Sequence, residues 1–160
     1  MIRSSMQGER LLIGHVYCET WKAAYRGLVP DGFLDSLTDE CCAPRIVPEK
    51  GLLVCERNGC LIGAVGFGPD RQVPDGGTGE IYSLYVLPEY WRTGAGRELF
   101  CAARKSLQQD GFDSIRLWTL SQNLRARQFY EKMSMTECSC RIITIGGRDL
   151  PETGYIQTLN

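Results

Sequence analysis

The segment WRTGAGR, residues 91–97, has two glycines one residue apart, between an apolar run and a segment with helical periodicity. A strand that ends in such a turn and leads into a helix leaves several backbone N–H groups unpaired beside the positive end of the helix dipole. Gly94 and Gly96 let a ligand approach this backbone because they carry no Cβ, and Arg92 and Arg97 add positive charge. The loop therefore predicts a binding site for a pyrophosphate.

Two common phosphate-binding motifs do not fit this loop. The continuation GAGREL lacks the third glycine of the dinucleotide-binding fingerprint, and it also lacks the Gly-Lys-Ser/Thr of the P-loop. Taken alone, the pattern is also compatible with a tight strand-to-helix turn that binds no ligand. The rest of the sequence has to separate these two interpretations.

The elements around the loop predict one continuous α/β fold, a single domain over residues 1–160. Helical spacing covers residues 9–25, a second short helix follows Pro30, and Asn58-Gly59 favours a hairpin turn between two strands. The later elements are a buried apolar strand at 80–87, a helix from Gly96 to Gly111, a strand at 114–120, a helix opened by Asn123, and two strands around Gly146-Gly147. The order is strand, two helices, hairpin, long strand, helix, strand, helix, hairpin. It predicts a mixed sheet with helices on both faces.

Charge and hydropathy limit the expected partners and compartment. The chain of 160 residues has a formal net charge of −1, so it has no global basic field that would attract nucleic acid or anionic lipid. No apolar run approaches the roughly 20 residues of a membrane helix, and the first residues lack the long apolar core of a secretion signal. We therefore expect a soluble, cytoplasmic protein with no nucleic-acid or membrane partner.

Eight cysteines are spaced in a way that indicates neither a metal site nor a disulfide framework. No CxxC pair occurs, and His15 is the only histidine. Free cysteine often serves as a small apolar residue, so we expect reduced cysteines in the strands and helices and no bound metal.

Two longer motifs carry a family resemblance. EIYSLYVLPEYWRTGAGREL, residues 80–99, is followed about 25 residues later by NLRARQFYEKM, residues 123–133, and this pair resembles the GNAT superfamily of acetyl-coenzyme A (acetyl-CoA) dependent N-acetyltransferases. The resemblance extends more loosely to residues 19–37 and 143–152. It implies a mixed, mostly antiparallel central sheet of about six to seven strands with helices on both faces. A splayed pair of parallel strands would hold the coenzyme.

The resemblance also assigns coenzyme contacts. The backbone of the glycine loop would bind the pyrophosphate, and the strand before it would pair with the pantetheine arm like an added β-strand. Asn123 corresponds to the family asparagine that contacts this arm, although a plain helix cap is an equal alternative. The residues so assigned are Leu84, Tyr85, Val86, Arg92, Thr93, Gly94, Ala95, Gly96, Arg97, Asn123 and Tyr130.

Two positions depart from the family pattern. Trp91 stands where relatives usually have Gln or Arg, which removes one polar contact to a phosphate and leaves Arg92 as the neighbouring positive side chain. Ser134 stands where relatives commonly have Gly after the second motif helix. A left-handed residue there would cost roughly 1 kcal/mol more than glycine.

Acyl transfer from a thioester to an amine needs an uncharged amine, a place for the developing oxyanion and a proton for the departing thiolate. By the resemblance, Tyr130 is the candidate general acid, with packing as its alternative role. Glu80 is the candidate general base, unless it is a solvated strand-end residue or the acceptor site itself lowers the pKa of the amine. Trp21 and Tyr25, four residues apart on one helical face, form either core or the wall of the acceptor pocket.

The resemblance implies direct acetyl transfer to a primary amine in a ternary complex, with acetyl-CoA as co-substrate and a small molecule as the expected acceptor. A protein or peptide amine is one alternative, and a non-catalytic module that binds acyl-CoA as a regulatory ligand is another. Acidic residues clustered near the acceptor would favour a polyamine, and scattered solvated charges are the other interpretation; these residues are Asp31, Asp35, Asp70, Asp75 and Glu80. Family members often form dimers, so a homodimer stays open.

Overall fold

A computed structural model of the chain describes residues 1–43 and 51–159. Its seven strands form one sheet in the order β1-β2-β3-β4-β5-β7-β6, antiparallel throughout except for the parallel pair β4–β5. The strands are β1 (Ile2–Ser4), β2 (Leu52–Arg57), β3 (Cys60–Pro69), β4 (Thr78–Val86), β5 (Ser114–Leu120), β6 (Thr136–Ile145) and β7 (Arg148–Thr158). The helices are α1 (Arg10–Ala24), α2 (Asp31–Asp35), α3 (Asp39–Cys42), α4 (Ala95–Gln109) and α5 (Leu124–Lys132), with a 3-10 turn at Pro88–Tyr90.

This architecture confirms the predicted fold class and the order of its main elements. Asn58 and Gly59 have φ angles of 52° and 75°, as a hairpin turn of the predicted type requires. The short helix α3 was not expected from helical spacing. Thr38 caps it, since the hydroxyl of Thr38 accepts a hydrogen bond of 3.2 Å from the backbone N–H of Cys41.

The parallel strands β4 and β5 pair over only four positions. The register runs from Thr78 opposite Ser114 to Ile81 opposite Leu117, and beyond it the two strands diverge. The expectation of a buried strand therefore holds for residues 79–81 and for Val86. Residues 82–85 are half-buried, because they border the cleft that the diverging strands leave open.

The two faces of the sheet carry separate apolar clusters, each covered by helices. On one face α4 buries Leu99, Ala103 and Leu107, at the i, i+4 and i+8 spacing that the sequence predicts. On the other face α1 contributes Ile13 and Tyr17, with α2, α3 and part of the β6–β7 hairpin around them. The segment from β4 into α4 and the N-terminal helices thus pack on opposite faces of the sheet.

The cysteines are more exposed than the sequence suggests. None of the eight forms a disulfide bond; Cys18, Cys42 and Cys55 are buried and the other five are exposed. Within residues 1–43 and 51–159, no three His, Cys, Asp or Glu side chains form a group that could hold a metal ion. No helix in those ranges is long and apolar enough to cross a membrane.

Candidate active site

The glycine loop leads from β4 into α4 and carries a row of unpaired donors. Gly94 has a φ of 93° and Arg92 a φ of 63°, both in the left-handed region. Helix α4 has no side-chain cap. Across the described residues, no hydrogen-bond partner exists for the backbone N–H groups of Arg92, Gly94, Ala95, Gly96 and Arg97. The positive end of α4 therefore offers several amides to an anion.

The two glycines of the loop are required for different reasons. Gly94 needs its conformation, because its φ of 93° is one that residues with a Cβ rarely adopt. A Cβ on Gly96 would lie 3.6 Å from the ring of Phe129 and 3.9 Å from Leu84, which are ordinary van der Waals contacts. Packing therefore does not demand glycine at position 96, whereas close approach of a ligand to the backbone would.

Arg57 on β2 fixes the loop to the sheet. Its guanidinium donates to the hydroxyl of Thr93 at 3.1 Å, to the carbonyl oxygen of Thr93 at 3.3 Å, and to the carboxylate of Glu98 at 2.9 Å. The amide of Thr93 donates to the carbonyl oxygen of Tyr90 at 3.4 Å, and the amide of Trp91 donates to that of Pro88 at 3.1 Å. These bonds hold the loop in place, and they leave the unpaired N–H groups of the loop available to a ligand.

Trp91 occupies the position where the sequence lacks the usual polar side chain. Its indole N–H donates to the carbonyl oxygen of Val86 at 2.7 Å, and the guanidinium carbon of Arg125 lies 3.3 Å from the centre of its ring. Burial lowers the pKa of Arg125, and the nearby charge of Arg92 lowers it further. A second positive side chain, supplied by α5, thus stands beside the glycine loop.

The edge of β4 along the cleft is formed by alternate residues. The amide of Leu87 donates to the carbonyl oxygen of Ile62 on the β3 side, so in this antiparallel pair the main chain of Tyr85 also faces β3. The main-chain groups of Leu84 and Val86 face the cleft. The Val86 carbonyl oxygen already accepts from Trp91 and, at 3.0 Å, from Thr20. Tyr85 borders the cleft through its side chain.

Tyr130 and Asn123 line the same cleft from α5 and the turn before it. Tyr130 is 8% exposed, and its hydroxyl has no hydrogen-bond partner among the described residues. Burial raises the pKa of Tyr130 well above its ordinary value, so the phenol keeps its proton at neutral pH. The side-chain oxygen of Asn123 accepts from the amide of Ala126 at 3.2 Å, so Asn123 caps α5 and borders the cleft at once.

Trp21 and Tyr25 line an adjoining cavity of about 290 Å³. Their rings pack edge to face with centroids 4.8 Å apart, and Tyr25 also borders the β4–β5 cleft. Burial raises the pKa of Tyr25, and burial likewise raises the pKa of Tyr85 to about 12. The cleft and the cavity share Tyr25, Tyr85 and Trp118 in their walls, so the two spaces adjoin.

Glu80 lies in this cavity with its carboxylate fully engaged. It is 2% exposed and accepts four hydrogen bonds from Arg71, one from the backbone amide at 2.9 Å and three from the guanidinium at 2.5 to 3.2 Å. The alternative of a solvated strand-end glutamate is therefore wrong. A carboxylate has about four acceptor positions, so Glu80 can take up a proton only after Arg71 moves.

Four of the five acidic residues considered for a polyamine site, all but Asp75, are paired with arginines. Asp31 and Asp35 both pair with Arg26, at 3.2 Å and 2.9 Å. Asp70 is buried and pairs with Arg116 at 3.1 Å. Since these carboxylates are already matched by arginines, they do not form a negative cluster for a polycation.

A second arginine–glutamate pair lies in the wall of the same cavity. The Nε of Arg141 on β6 donates to Glu152 on β7 at 2.7 Å, and its guanidinium carbon lies 4.0 Å from the centre of the Trp118 ring. Sequence reasoning did not identify Arg71, Arg141 or Glu152. The alternation of Arg141 with Ile143 and Ile145 places the three on one face of β6, but it does not indicate that this face lines a cavity.

Comparisons with known proteins agree with this geometry. The model of the Acetyltransferase (GNAT) family matches residues 15–135. An uncharacterized N-acetyltransferase of Bacillus subtilis (strain 168), YuaI, is 32% identical over 147 residues, which cover 89% of this chain and 83% of that protein. PaiA N-acetyltransferase of Thermoplasma acidophilum, solved with coenzyme A, superposes with a TM-score of 0.74 at 21% identity and covers 99% of this chain and 98% of its own. YncA of Salmonella typhimurium, solved with acetyl-CoA, gives 0.75 at 20% identity, with 100% and 94% covered.

Proposed function

The chain belongs to the acetyltransferase (GNAT) family and is an acyltransferase, and from this membership we propose that it moves an acetyl group from acetyl-CoA to the primary amine of a small molecule. The reaction is direct attack in a ternary complex. One observation carries the proposal: the β4–β5 cleft has unpaired loop amides at its mouth and the unpartnered hydroxyl of Tyr130 in its wall. Two relatives of the same fold were solved with coenzyme A or acetyl-CoA.

The residues along the cleft fit the parts of the coenzyme. The loop amides and the guanidinium groups of Arg92 and Arg125 suit a pyrophosphate, which prefers charged and backbone donors. The main chain of Leu84 and the amide of Val86 suit the amide groups of a pantetheine arm, which would add to the free strand edge. The side-chain oxygen of Asn123 caps α5, which leaves its side-chain NH2 group available beside them.

Tyr130 is the proposed general acid. The raised pKa keeps its phenol protonated at the pH of the reaction, so it can donate to a thiolate as the carbon–sulfur bond breaks. A free thiol has a pKa near 8.5, so the thiolate is already a fair leaving group. Positioning of the amine against the thioester supplies much of the remaining acceleration, because two bound reactants react as if they were one molecule.

Glu80 is the proposed general base, acting directly or through a water molecule. It lies in the wall of the acceptor cavity, but Arg71 must first release its carboxylate. An alternative needs no base. Burial of the amine among the aromatic side chains of the cavity would favour its neutral form, because desolvation lowers the pKa of an ammonium group.

A small acceptor is favoured over a protein by the size and cover of the cavity. Its volume of about 290 Å³ lies at the lower end of the roughly 300–1,000 Å³ typical of small-molecule sites. The tip of the β6–β7 hairpin reaches across to α2, since a Cβ on Gly146 would lie 2.7 Å from that of Phe33. An extended peptide would need an open groove at the place where Gly146 contacts Phe33.

The test is an acceptor screen with mass detection of the product. The protein is incubated with acetyl-CoA and a panel of small amines and peptides, and an added mass of one acetyl group on the acceptor is measured. Thiol reagents are avoided, because five exposed cysteines would react with them. Acetylation of small amines supports the proposal. Acetylation of peptides alone would move the acceptor to proteins, and no acetylation despite coenzyme binding would favour a non-catalytic binding module.

A further inference from the structure

We infer that the acceptor carries a carboxylate besides its amine, and that the guanidinium of Arg141 binds this carboxylate. The inference rests on the proposed function and names the class of acceptor for the same site. It depends on side chains of the acceptor cavity, chiefly Arg141 and Glu152, which have no role in the proposed coenzyme site. Amino acids are the simplest compounds that carry both groups.

Arg141 is held in place with one edge of its guanidinium unused. Its Nε is bound to Glu152 at 2.7 Å, and its plane is supported by the ring of Trp118 at 4.0 Å. Among the described residues, neither Nη atom of Arg141 has a hydrogen-bond partner. Two parallel Nη–H groups match the two oxygens of a carboxylate, and a guanidinium fixed in advance loses little freedom on binding.

The charges of the cavity wall fit such an acceptor better than a simple cation. Arg71 and Arg141 balance Glu80 and Glu152, so the lining charges sum to zero. A polyamine would place additional positive charges beside two arginines with no unmatched carboxylates to receive them. An amine with a carboxylate adds no net charge, and its negative group meets the unused edge of Arg141.

The rest of the wall is apolar and would hold the body of the acceptor. Trp21, Tyr25 and Tyr85 line one side, and Ile143 and Ile145 follow Arg141 along the same face of β6. Aromatic rings bury large apolar areas, so an amino acid with an apolar or aromatic side chain suits this space.

The test compares matched acceptors that differ only in the carboxylate. Phenylalanine, phenylalaninamide and phenethylamine form one set, leucine, leucinamide and isopentylamine a second, and 4-aminobutyrate and butylamine a third. Each is assayed with acetyl-CoA by product mass on the wild type, Arg141→Gln, Arg141→Lys and Arg148→Gln. Arg148 is the matched control, because it is an exposed arginine on the same hairpin.

The inference predicts that at least one amino acid is acetylated with a kcat/KM about 10- to 100-fold above its neutral partners, the range of a hydrogen-bonded charge pair. Arg141→Gln removes this preference by raising KM for the amino acid more than for the amide, and its affinity for acetyl-CoA stays unchanged. Arg141→Lys loses part of the preference, and Arg148→Gln none.

Two results would overturn the inference and can be told apart. If the neutral amines are used as well as the amino acids, or the preference survives in Arg141→Gln, the carboxylate site is wrong and the acetyltransferase proposal stands. If the protein binds acetyl-CoA but acetylates nothing in a panel that includes other amines and peptides, the proposed function fails and this inference fails with it.

Discussion

Tyr130 is the residue whose environment most directly matches a chemical role. Its side chain is buried, its hydroxyl has no hydrogen-bond partner among the described residues, and its pKa is raised by burial, so the hydroxyl keeps its proton and is free to donate to a ligand in the cleft. We predict that Tyr130→Phe lowers kcat about 100-fold with little change in KM, the lower end of the usual contribution of a general acid. Steady-state kinetics measure both values.

The same variant separates catalysis from packing. Removing a hydroxyl that has no protein partner should leave the free energy of unfolding in urea nearly unchanged. A kcat equal to that of the wild type would remove Tyr130 from the mechanism and leave it a packing residue of α5.

We propose that Arg125 supplies the phosphate contact that Trp91 cannot make. Because its guanidinium rests on the Trp91 ring beside the glycine loop, we predict that Arg125→Ala weakens acetyl-CoA binding about 10-fold, the effect of losing one charge-assisted contact to a phosphate. Lys132→Ala, at the far end of the same helix, is the control. Calorimetry gives the two dissociation constants.

Acetyl-pantetheine sharpens the Arg125 test because it lacks the pyrophosphate. Its kcat/KM with a good acceptor should be the same for the wild type and Arg125→Ala. An equal loss with acetyl-CoA and acetyl-pantetheine would mean that Arg125 supports the fold of the cleft and makes no contact with a phosphate.

Within the unit formed by β4, the glycine loop and α4, an added side chain at position 96 should leave the fold intact but weaken coenzyme binding. We predict that Gly96→Ala folds with unchanged or slightly higher stability, because its Cβ has room beside Phe129 and alanine favours a helix. Its affinity for acetyl-CoA should fall at least 10-fold, because the Cβ stands where the pyrophosphate must approach the backbone. Urea unfolding and calorimetry measure the two quantities.

Gly94→Ala, in contrast to Gly96→Ala, should destabilise the fold itself. Its φ of 93° strains any residue with a Cβ, so this variant should lose roughly 1–2 kcal/mol of stability. If Gly96→Ala binds acetyl-CoA as tightly as the wild type, the glycine at 96 serves the turn alone and the loop does not contact the coenzyme closely.

The acceptor side joins elements that lie far apart in the chain. Residues of α1, β4, β6 and β7 line one cavity, and Gly146 at the hairpin tip touches Phe33 of α2. The hydrogen bond between the hydroxyls of Tyr17 and Ser83 ties α1 to β4 beside it. The coenzyme cleft is built mainly from the consecutive motifs of residues 80–130, so the coenzyme site is local in sequence and the acceptor site is not.

This difference explains what could be predicted from the sequence. The loop around Gly94 and the hairpin at Asn58-Gly59 are determined by residues adjacent in sequence, so both could be predicted from the sequence. Arg125 on Trp91 and the pair of Arg141 with Glu152 arise only when separate elements meet. On the sequence alone, Arg141 is an ordinary polar residue of an alternating strand.

At the scale of the whole molecule, several buried tyrosines tie stability to alkaline pH. Burial raises the pKa of Tyr17, Tyr25, Tyr85 and Tyr130, the value for Tyr85 being about 12, whereas an unfolded tyrosine titrates near 10. The folded pKa values are raised, so this stability is fully present below about pH 10 and is lost as the pH rises through the folded pKa values.

We therefore predict that the free energy of unfolding in urea, measured with a reductant, falls steeply between about pH 10 and pH 12. Each buried tyrosine contributes up to about 1.4 kcal/mol per pH unit. Tyr85→Phe should lower this slope by the share of one tyrosine. A free energy of unfolding that stays flat to pH 11.5 would mean that these phenols ionise as readily in the folded protein as in the unfolded chain.

Calorimetric titration of the wild-type protein with acetyl-CoA, with ATP and NAD as controls, decides whether the glycine loop binds the coenzyme. We predict one binding site per chain with a dissociation constant between about 1 µM and 1 mM, the usual range for a substrate, and no comparable binding of ATP or NAD. Absence of acetyl-CoA binding would contradict it, because the unpaired amides of the glycine loop would then mark only a turn, and the acetyltransferase mechanism built on them would fall.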